Sequence, residues 1–199
     1  KERGVQYIEV RCLDLDPFKP CGIDESQIKF LDVFLTYCLL SEQDKIDDIE
    51  CDEVAENNKR VTQHGREENQ TLLCDNQEIP LTKKADIIFN QMSEVAHILE
   101  EFEPGTVDAL KEQYKKVQDN KYTPSYLFLK EISAHQGSFL KASNSLANRH
   151  KAYFKNLELN DNVLAQYTEL AKQSVVDQKE IEQSDTIDFD AFLTDYLAN

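Results

Sequence analysis

Glu9 and Arg11 are the two residues whose types and spacing could do chemistry together. They lie in the stretch QYIEVRCL, residues 6–13, where apolar and polar residues alternate with the period of a β-strand. On a strand their side chains share a face, about 6.6 Å apart at a rise of about 3.3 Å per residue. A carboxylate and a guanidinium so placed could bind the cation and the phosphate oxygens of a metal–phosphate group. The alternative is an ion pair on a solvated sheet surface, which is a common arrangement.

The opposite face of this predicted strand carries Ile8, Val10 and Cys12, which indicates a packed side. Cys12 is therefore predicted to be a small core residue and not a nucleophile. A single strand cannot satisfy its own backbone groups, so it needs sheet partners, and the sequence shows no other convincing long strand. Because the chain also begins at Lys1 without methionine, we expect an N-terminal part of the protein to be missing.

Residues 14–22, DLDPFKPCG, are predicted to form a turn-rich loop after the strand. Pro17 and Pro20 stiffen this segment and prevent regular strand pairing. Asp14 and Asp16 are candidate metal ligands. The favoured interpretation is that they are turn-forming carboxylates that accept hydrogen bonds from nearby backbone N–H groups.

Helical periodicity begins at Asp24. Asp24 and Gln27 have the spacing of a capping box, which predicts a helix that ends at about Leu40. Apolar residues on two faces of this helix predict burial on two sides, between the sheet and the helices that follow.

A second helix is expected over about 52–64, then a short hairpin over 71–81 that turns at Asp75-Asn76. Apolar residues at helical spacing predict that the rest of the chain is helical, with a break at Pro104-Gly105. An apolar face over 189–197 is expected to dock and to fix the C-terminus.

The composition excludes several classes of protein. The formal charge of −16 over 199 residues disfavours nucleic acid and anionic membranes as partners, because both repel an acidic surface. No apolar run approaches the length of a transmembrane helix. An odd number of cysteines without CxxC spacing fits reduced thiols in a cytoplasmic protein. The histidines lack metal-binding spacing and are expected to be structural or exposed; they stand at positions 64, 97, 135 and 150.

The N-terminal segment resembles the bacterial glutamate–cysteine ligases (γ-glutamylcysteine synthetases). The residues that carry the resemblance are RGVQYIEVR at 3–11, then Leu13-Asp14, Pro17-Phe18, Pro20 and Gly22. The run FLDVF at 30–34 is similar to the family's next helix, and Arg60-Val61 with Gly65-Arg66 resembles a second segment. Position 12 is Cys where the family commonly has Ser, a change of one small residue for another.

The resemblance implies an α+β fold that is mainly α in this chain. One catalytic strand would belong to a larger antiparallel, glutamine-synthetase-like sheet, and a helical lobe would follow it. Residues 1–23 would form the strand and loop of an incomplete ligase domain, and residues 24–199 the helical C-terminal lobe of that domain. The resemblance covers only the C-terminal part of the family's chain.

The activity implied by the resemblance is ATP-dependent ligation of the γ-carboxylate of L-glutamate to the amino group of L-cysteine through an acyl phosphate. Glu9 would be a metal ligand for Mg²⁺ or for Mn²⁺ as its substitute, and Arg11 would contact the transferred phosphate. Arg66 is a candidate for binding the nucleotide, but the family continues Pro-Gly where this chain has Glu67-Glu68, which leaves an exposed surface charge as the alternative. The complete enzyme would be a cytoplasmic monomer, and the chain alone would be inactive.

The competing hypothesis is a helical interaction or regulatory module. In that case QYIEVRCL would pair with the edge of a partner's sheet and would have no catalytic role.

Overall fold

The computed structural model describes residues 6–11, 13–42 and 45–198, and these residues are mostly helical. The predicted position of Cys12 in a core lies outside them. In chain order the regular elements are α1 Glu25–Leu40, α2 Asp48–His64, β1 Thr71–Cys74, β2 Gln77–Pro80, α3 Leu81–Glu100, α4 Thr106–Gln118, a 3₁₀ turn Asn120–Tyr122, α5 Pro124–Ala134, α6 Phe139–Lys155, α7 Asp161–Ser184 and α8 Phe189–Leu197. The prediction of a mainly α chain is confirmed.

Helix α1 begins where the capping box predicts. The Asp24 carboxylate accepts a hydrogen bond from the Gln27 backbone N–H at 3.0 Å, and the Gln27 side chain accepts one from the Asp24 N–H at 3.3 Å. These reciprocal bonds satisfy two donors that the first turn would otherwise leave unpaired. The helix ends at Leu40, as expected.

The core lies where α1, α3 and α4 pack together. Val33 of α1, Met92 of α3 and Leu110 of α4 are all buried there. The ring of Phe89 on α3 contacts both other helices: its centroid lies 5.9 Å from that of Phe30 on α1 and 4.9 Å from that of Tyr114 on α4. Burial of these side chains removes a large apolar area from water and supplies the main stabilisation of the bundle.

Only one face of α1 is covered in this way. Ile28, Cys38 and Leu39, on the second apolar face, are exposed, and Leu39 is 83% exposed. Burial of this second face was expected against a sheet whose other strands the sequence does not show, and it remains a prediction. Within the described residues, the hairpin of β1 and β2 is the only sheet, and it does not include residues 6–11.

The break between α3 and α4 falls at Pro104-Gly105, as predicted. Gly105 has φ +94°, a left-handed conformation that costs glycine little. The Glu100 carboxylate accepts hydrogen bonds from the N–H groups of Gly105 and Val107, both at 2.8 Å, and Lys29 donates to the Pro104 carbonyl at 2.7 Å. The bonds from Gly105 and Val107 lower the pKa of Glu100 because they stabilise the ionised carboxylate.

The hairpin turns at Asp75-Asn76, as the sequence predicts. Both residues have positive φ, the backbone that a two-residue hairpin turn needs and that Asp and Asn tolerate. Helix α2 holds this hairpin, because both Glu53 carboxylate oxygens accept backbone N–H bonds from the turn. The helix starts at Asp48, earlier than expected, because Asp47 caps it through a 2.8 Å bond from the Glu50 N–H.

The chain divides into two compact units, Lys1–Lys151 and Ala152–Asn199. The second unit contains α7 and α8, and the large apolar side chains of α8 are exposed. The docking expected for residues 189–197 therefore remains a prediction. No helix in the described part of the chain has the length and apolar character needed to cross a membrane.

Glu100→Gln should lower the stability of the chain at neutral pH, because an amide is a weaker acceptor for the Gly105 and Val107 N–H groups. The pKa of Glu100 is lower in the folded state than in the unfolded state. Its ionised carboxylate therefore stabilises the fold at pH values above the unfolded-state pKa, and this stabilisation is lost as the pH falls through the folded-state pKa. The difference in urea midpoint between parent and variant should therefore shrink as the pH drops below about 4.5.

The matched control is Glu101→Gln, which removes an exposed carboxylate one residue further along. It should leave the urea midpoint nearly unchanged at every pH. A Glu100→Gln effect that is independent of pH, or no larger than that of the control, would show that the carboxylate does not fix this turn.

Candidate active site

The segment that carries Glu9 and Arg11 is exposed and has no regular secondary structure over residues 6–11 and 13. Tyr7 and Ile8 are 78% and 63% exposed. The described residues contain one sheet, the hairpin of β1 and β2, and this segment is not part of it. A strand is defined by its partner's hydrogen bonds, so the pairing of this segment with a larger sheet remains a prediction.

Glu9 and Arg11 lie side by side. The Arg11 Nη2 atom donates to Glu9 Oε2 at 2.7 Å, and their side chains are 81% and 53% exposed. This is the contact expected of an ion pair, and exposed pairs of this kind contribute little to stability. Their exposure also leaves both charged groups accessible to a charged ligand.

Asp16 forms a turn, as the favoured interpretation of the loop holds. The residue is 8% exposed, and its Oδ1 accepts from the Phe18 N–H at 2.9 Å. The loop is closed by a bond from the Asp16 N–H to the Gly22 carbonyl at 2.8 Å. Asp14, in contrast, is exposed.

Two contacts anchor this loop to the helices. Lys19 Nζ lies 2.5 Å from the Asp24 carboxylate, and His150 Nε2 lies 2.9 Å from the Pro17 carbonyl. The hydrogen bond to Asp24 raises the pKa of Lys19. Burial raises the pKa of Asp24, but the bonds from Lys19 and Gln27 together outweigh it, and the net shift is downward.

The contact between His150 and the Pro17 carbonyl confirms the structural role expected of this histidine, but the sequence did not predict Pro17 as its partner. The two residues are 133 positions apart, and no spacing pattern links a histidine on α6 to a proline in the loop.

Arg66 is exposed and follows the end of α2. Its backbone carbonyl accepts a 2.9 Å hydrogen bond from the Asn120 side chain. The described contacts do not bring its guanidinium to Glu9 or Arg11, so its role in nucleotide binding remains a prediction.

Within residues 6–11, 13–42 and 45–198, no group of three or more His, Cys, Asp or Glu side chains could hold a metal ion. Mg²⁺ takes about six oxygen ligands, several of them water. Glu9 could supply one of these, but the described residues do not complete a site around it.

The described residues form a helical bundle preceded by an exposed segment without regular secondary structure that carries the Glu9–Arg11 ion pair. A model of the glutamate–cysteine ligase family matches residues 1–61. Glutamate–cysteine ligases of Pseudomonas fluorescens strain Pf0-1 and Pseudomonas entomophila are 36% and 35% identical over a 199-residue alignment that covers 99% of this chain.

A solved structure agrees with the sequence comparison. The crystal structure of glutamate–cysteine ligase from Francisella tularensis in complex with AMP superimposes with a TM-score of 0.82 at 31% identity and covers 98% of this chain. This confirms the resemblance to the glutamate–cysteine ligase family. The chain spans only 37–38% of the length of these relatives.

Asp16→Ala should lower the free energy of unfolding by about 1–3 kcal/mol, because it leaves the Phe18 N–H without its acceptor in a partly buried loop. Asp16→Asn keeps an acceptor oxygen and should cost less than half as much. Asp14→Ala is the control at an exposed site and should change stability by less than about 0.5 kcal/mol. Urea unfolding measures all three, and equal losses for Ala and Asn at position 16 would exclude the turn role.

Proposed function

We propose that this chain is part of an ATP-dependent glutamate–cysteine ligase. The observation that carries the proposal is the exposed Glu9–Arg11 pair inside the segment matched by the family model. The identity to curated ligases and the likeness to an AMP-bound ligase support it along nearly the whole chain. Because the chain covers little more than a third of those relatives, the activity is proposed for the complete protein.

The proposed reaction joins L-glutamate to L-cysteine, the first step of glutathione biosynthesis. A carboxylate is a poor electrophile, so the γ-carboxylate of glutamate first attacks the γ-phosphorus of ATP and releases ADP. The amino group of cysteine then attacks the carbonyl carbon of the acyl phosphate. Phosphate leaves, the amine loses a proton, and γ-glutamylcysteine is formed.

Arg11 would stabilise the phosphoryl group during transfer. A guanidinium offers a planar pair of donors that matches two phosphate oxygens, and its charge offsets the charge on the group in transfer. In the chain described here Arg11 is paired with Glu9 at 2.7 Å. Because both side chains are exposed, opening this pair for a ligand costs little.

Glu9 would contribute one oxygen ligand to Mg²⁺ or Mn²⁺, a cation that would neutralise charge on the ATP phosphates. The other ligands would come from the part of the ligase that this chain does not cover. Arg66 is proposed as a further contact for the nucleotide.

A chain with one such carboxylate and one such arginine is proposed to be inactive alone, and synthesis of γ-glutamylcysteine by the purified 199-residue chain would contradict this. The complete enzyme is proposed to be a cytoplasmic monomer with reduced cysteines.

The interaction-module hypothesis is favoured by one observation, the exposure of Tyr7 and Ile8 on a segment without strand pairing. Such a segment could add to the edge of a partner's sheet. Nucleotide-dependent ligation by the complete protein would decide for the enzyme, whereas partner binding that is indifferent to nucleotide would decide for the module.

Glu9→Gln in a complete ligase that carries this segment should abolish most activity with little change in stability. The amide keeps the size of the side chain but is a weaker ligand for a hard cation. Raising Mg²⁺ or substituting Mn²⁺ should restore part of the activity, because mass action offsets a weakened site. Activity is measured against metal concentration for parent and variant. Superimposable curves would exclude Glu9 as a metal ligand, and a modest stability loss with normal turnover would favour the ion pair.

Arg11→Lys in the same complete ligase should reduce turnover on the order of 10²–10⁴-fold, because lysine keeps the charge but loses the paired donors. Glutamate binding should suffer less than turnover. Steady-state kinetics with saturating ATP measures both, and Lys59→Arg on α2, another basic residue in the family-matched region, is the control. Turnover of Arg11→Lys within threefold of the parent would refute the role in phosphoryl transfer.

A further inference from the structure

The turn-rich loop that precedes α1 is a compact block, held together by its own hydrogen bonds. The Asp16 N–H donates to the Gly22 carbonyl at 2.8 Å, and the Gly22 N–H donates to the Lys19 carbonyl at 3.0 Å. The Lys19 N–H in turn donates to the Asp16 carbonyl at 3.1 Å. Leu15 belongs to the same block, because a Cβ atom added at Gly22 would lie only 2.8 Å from its side chain. The block therefore begins four residues after Arg11 in the chain.

The Pro17 carbonyl is the point at which this block is bonded to α6. The three backbone bonds just given use other carbonyls of the loop, and the Phe18 N–H donates to the Asp16 side chain. His150 Nε2 lies 2.9 Å from the Pro17 oxygen. A carbonyl oxygen can only accept a hydrogen bond, so the His150 ring carries its hydrogen on Nε2 and donates it to the loop.

His150 belongs to the packed face of α6. Ala142 and Leu146 precede it by eight and four residues on this helix, and they are 0% and 4% exposed. Residues at this spacing share one face of a helix, so His150, which is half-buried, continues the buried face. The packing of Ala142 and Leu146 fixes α6, and α6 in turn presents the His150 ring at a fixed place beside the loop.

The loop has a second anchor that holds a different part of it. Lys19 pairs with Asp24, which caps α1, so this pair ties the loop to the helix that follows it in the chain. His150 instead holds Pro17, which is nearer in sequence to Arg11. Loss of the His150 bond would therefore free the part of the loop next to the Glu9–Arg11 segment and would leave the cap of α1 in place.

We propose that His150 is a positioning residue for the ligase reaction, because its bond to the Pro17 carbonyl fixes the loop that joins the Glu9–Arg11 segment to α1. The inference rests on the proposed function and deepens it, since it gives a role to a residue far outside that segment. Displacement of a reacting group by about 1 Å can reduce a rate on the order of 10²-fold. His150 would act on turnover through the position of Arg11 and would not touch a substrate.

Two amide side chains that differ in length test the bond at position 150. The Nε2 atom of glutamine can reach the place of the histidine Nε2 atom, whereas the Nδ2 atom of asparagine corresponds to the histidine Nδ1 atom and falls short. In a complete ligase that contains this chain, His150→Asn should lower kcat roughly tenfold and change the KM values for ATP, L-glutamate and L-cysteine by less than about twofold. His150→Gln should restore kcat to within about threefold of the parent, because a donor again reaches the Pro17 carbonyl.

The matched controls are His97→Asn and His97→Gln on α3. His97 is exposed, and its Nδ1 atom lies 2.6 Å from the Ser93 carbonyl, one turn earlier on the same helix. These variants make the same changes on a helix without touching the loop, so both should keep the kcat of the parent. Urea unfolding of all four variants shows that each is folded under the assay conditions. A fall in kcat without a change in KM, in a folded protein and reversed by glutamine, is a result that a merely structural histidine would not give.

Hydrogen exchange measured by mass spectrometry gives a second readout that does not need activity. In His150→Asn the loop amides of Asp16, Phe18 and Gly22 should exchange several-fold faster than in the parent, whereas those of the β1–β2 hairpin should not change. Equal kcat for His150→Asn and His150→Gln, a loss that appears in KM, or unchanged exchange in the loop would overturn the inference and leave the proposed function standing. A parent ligase that forms no γ-glutamylcysteine would refute the proposed function, and the inference with it.

Discussion

Burial of Val33 between α3 and α4 is the interaction on which the rest of the first unit depends. Val33 is fully buried, Met92 is 1% exposed and Leu110 is 6% exposed, so the three helices meet at one closely packed point. Once that contact is made, the position and direction of α1 are fixed. The loop that precedes α1 is then held at the N-terminal end of a rigid helix, because the packed core leaves α1 no freedom to shift.

Asp24 connects helix α1 to the loop that follows the Glu9–Arg11 segment. One carboxylate caps α1 through the Gln27 N–H and also pairs with Lys19 in the loop. The loop closes on itself through Asp16 and Gly22 and is held from the other side by His150. The segment with Glu9 and Arg11 directly precedes this loop in the chain, so the loop limits the position of the segment's C-terminal end.

The sequence predicted best the features that depend on neighbouring residues. The capping box at Asp24, the turn at Asp75-Asn76 and the break at Gly105 arise from local hydrogen bonds and backbone preferences, which a few residues specify. Features that need distant partners were missed or remain predictions. The bond between His150 and Pro17 has no sequence signature, and the second face of α1 is exposed although its apolar residues predict burial.

The Glu9–Arg11 segment shows the same limit most clearly. Its alternation predicts a strand, yet residues 6–11 are exposed and have no regular secondary structure, because a strand gains its hydrogen bonds from neighbouring strands and not from its own sequence. The chemistry proposed for Glu9 and Arg11 also depends on neighbouring elements. A lone exposed ion pair in water binds neither metal nor phosphate strongly, since both charges are well solvated and already compensate each other. A surrounding sheet that excludes water and adds further carboxylates would be needed for Glu9 and Arg11 to bind a metal–phosphate group in preference to each other. The helical unit thus anchors the loop that follows Glu9 and Arg11, and the dielectric environment that would make the proposed chemistry effective is not supplied by the described residues.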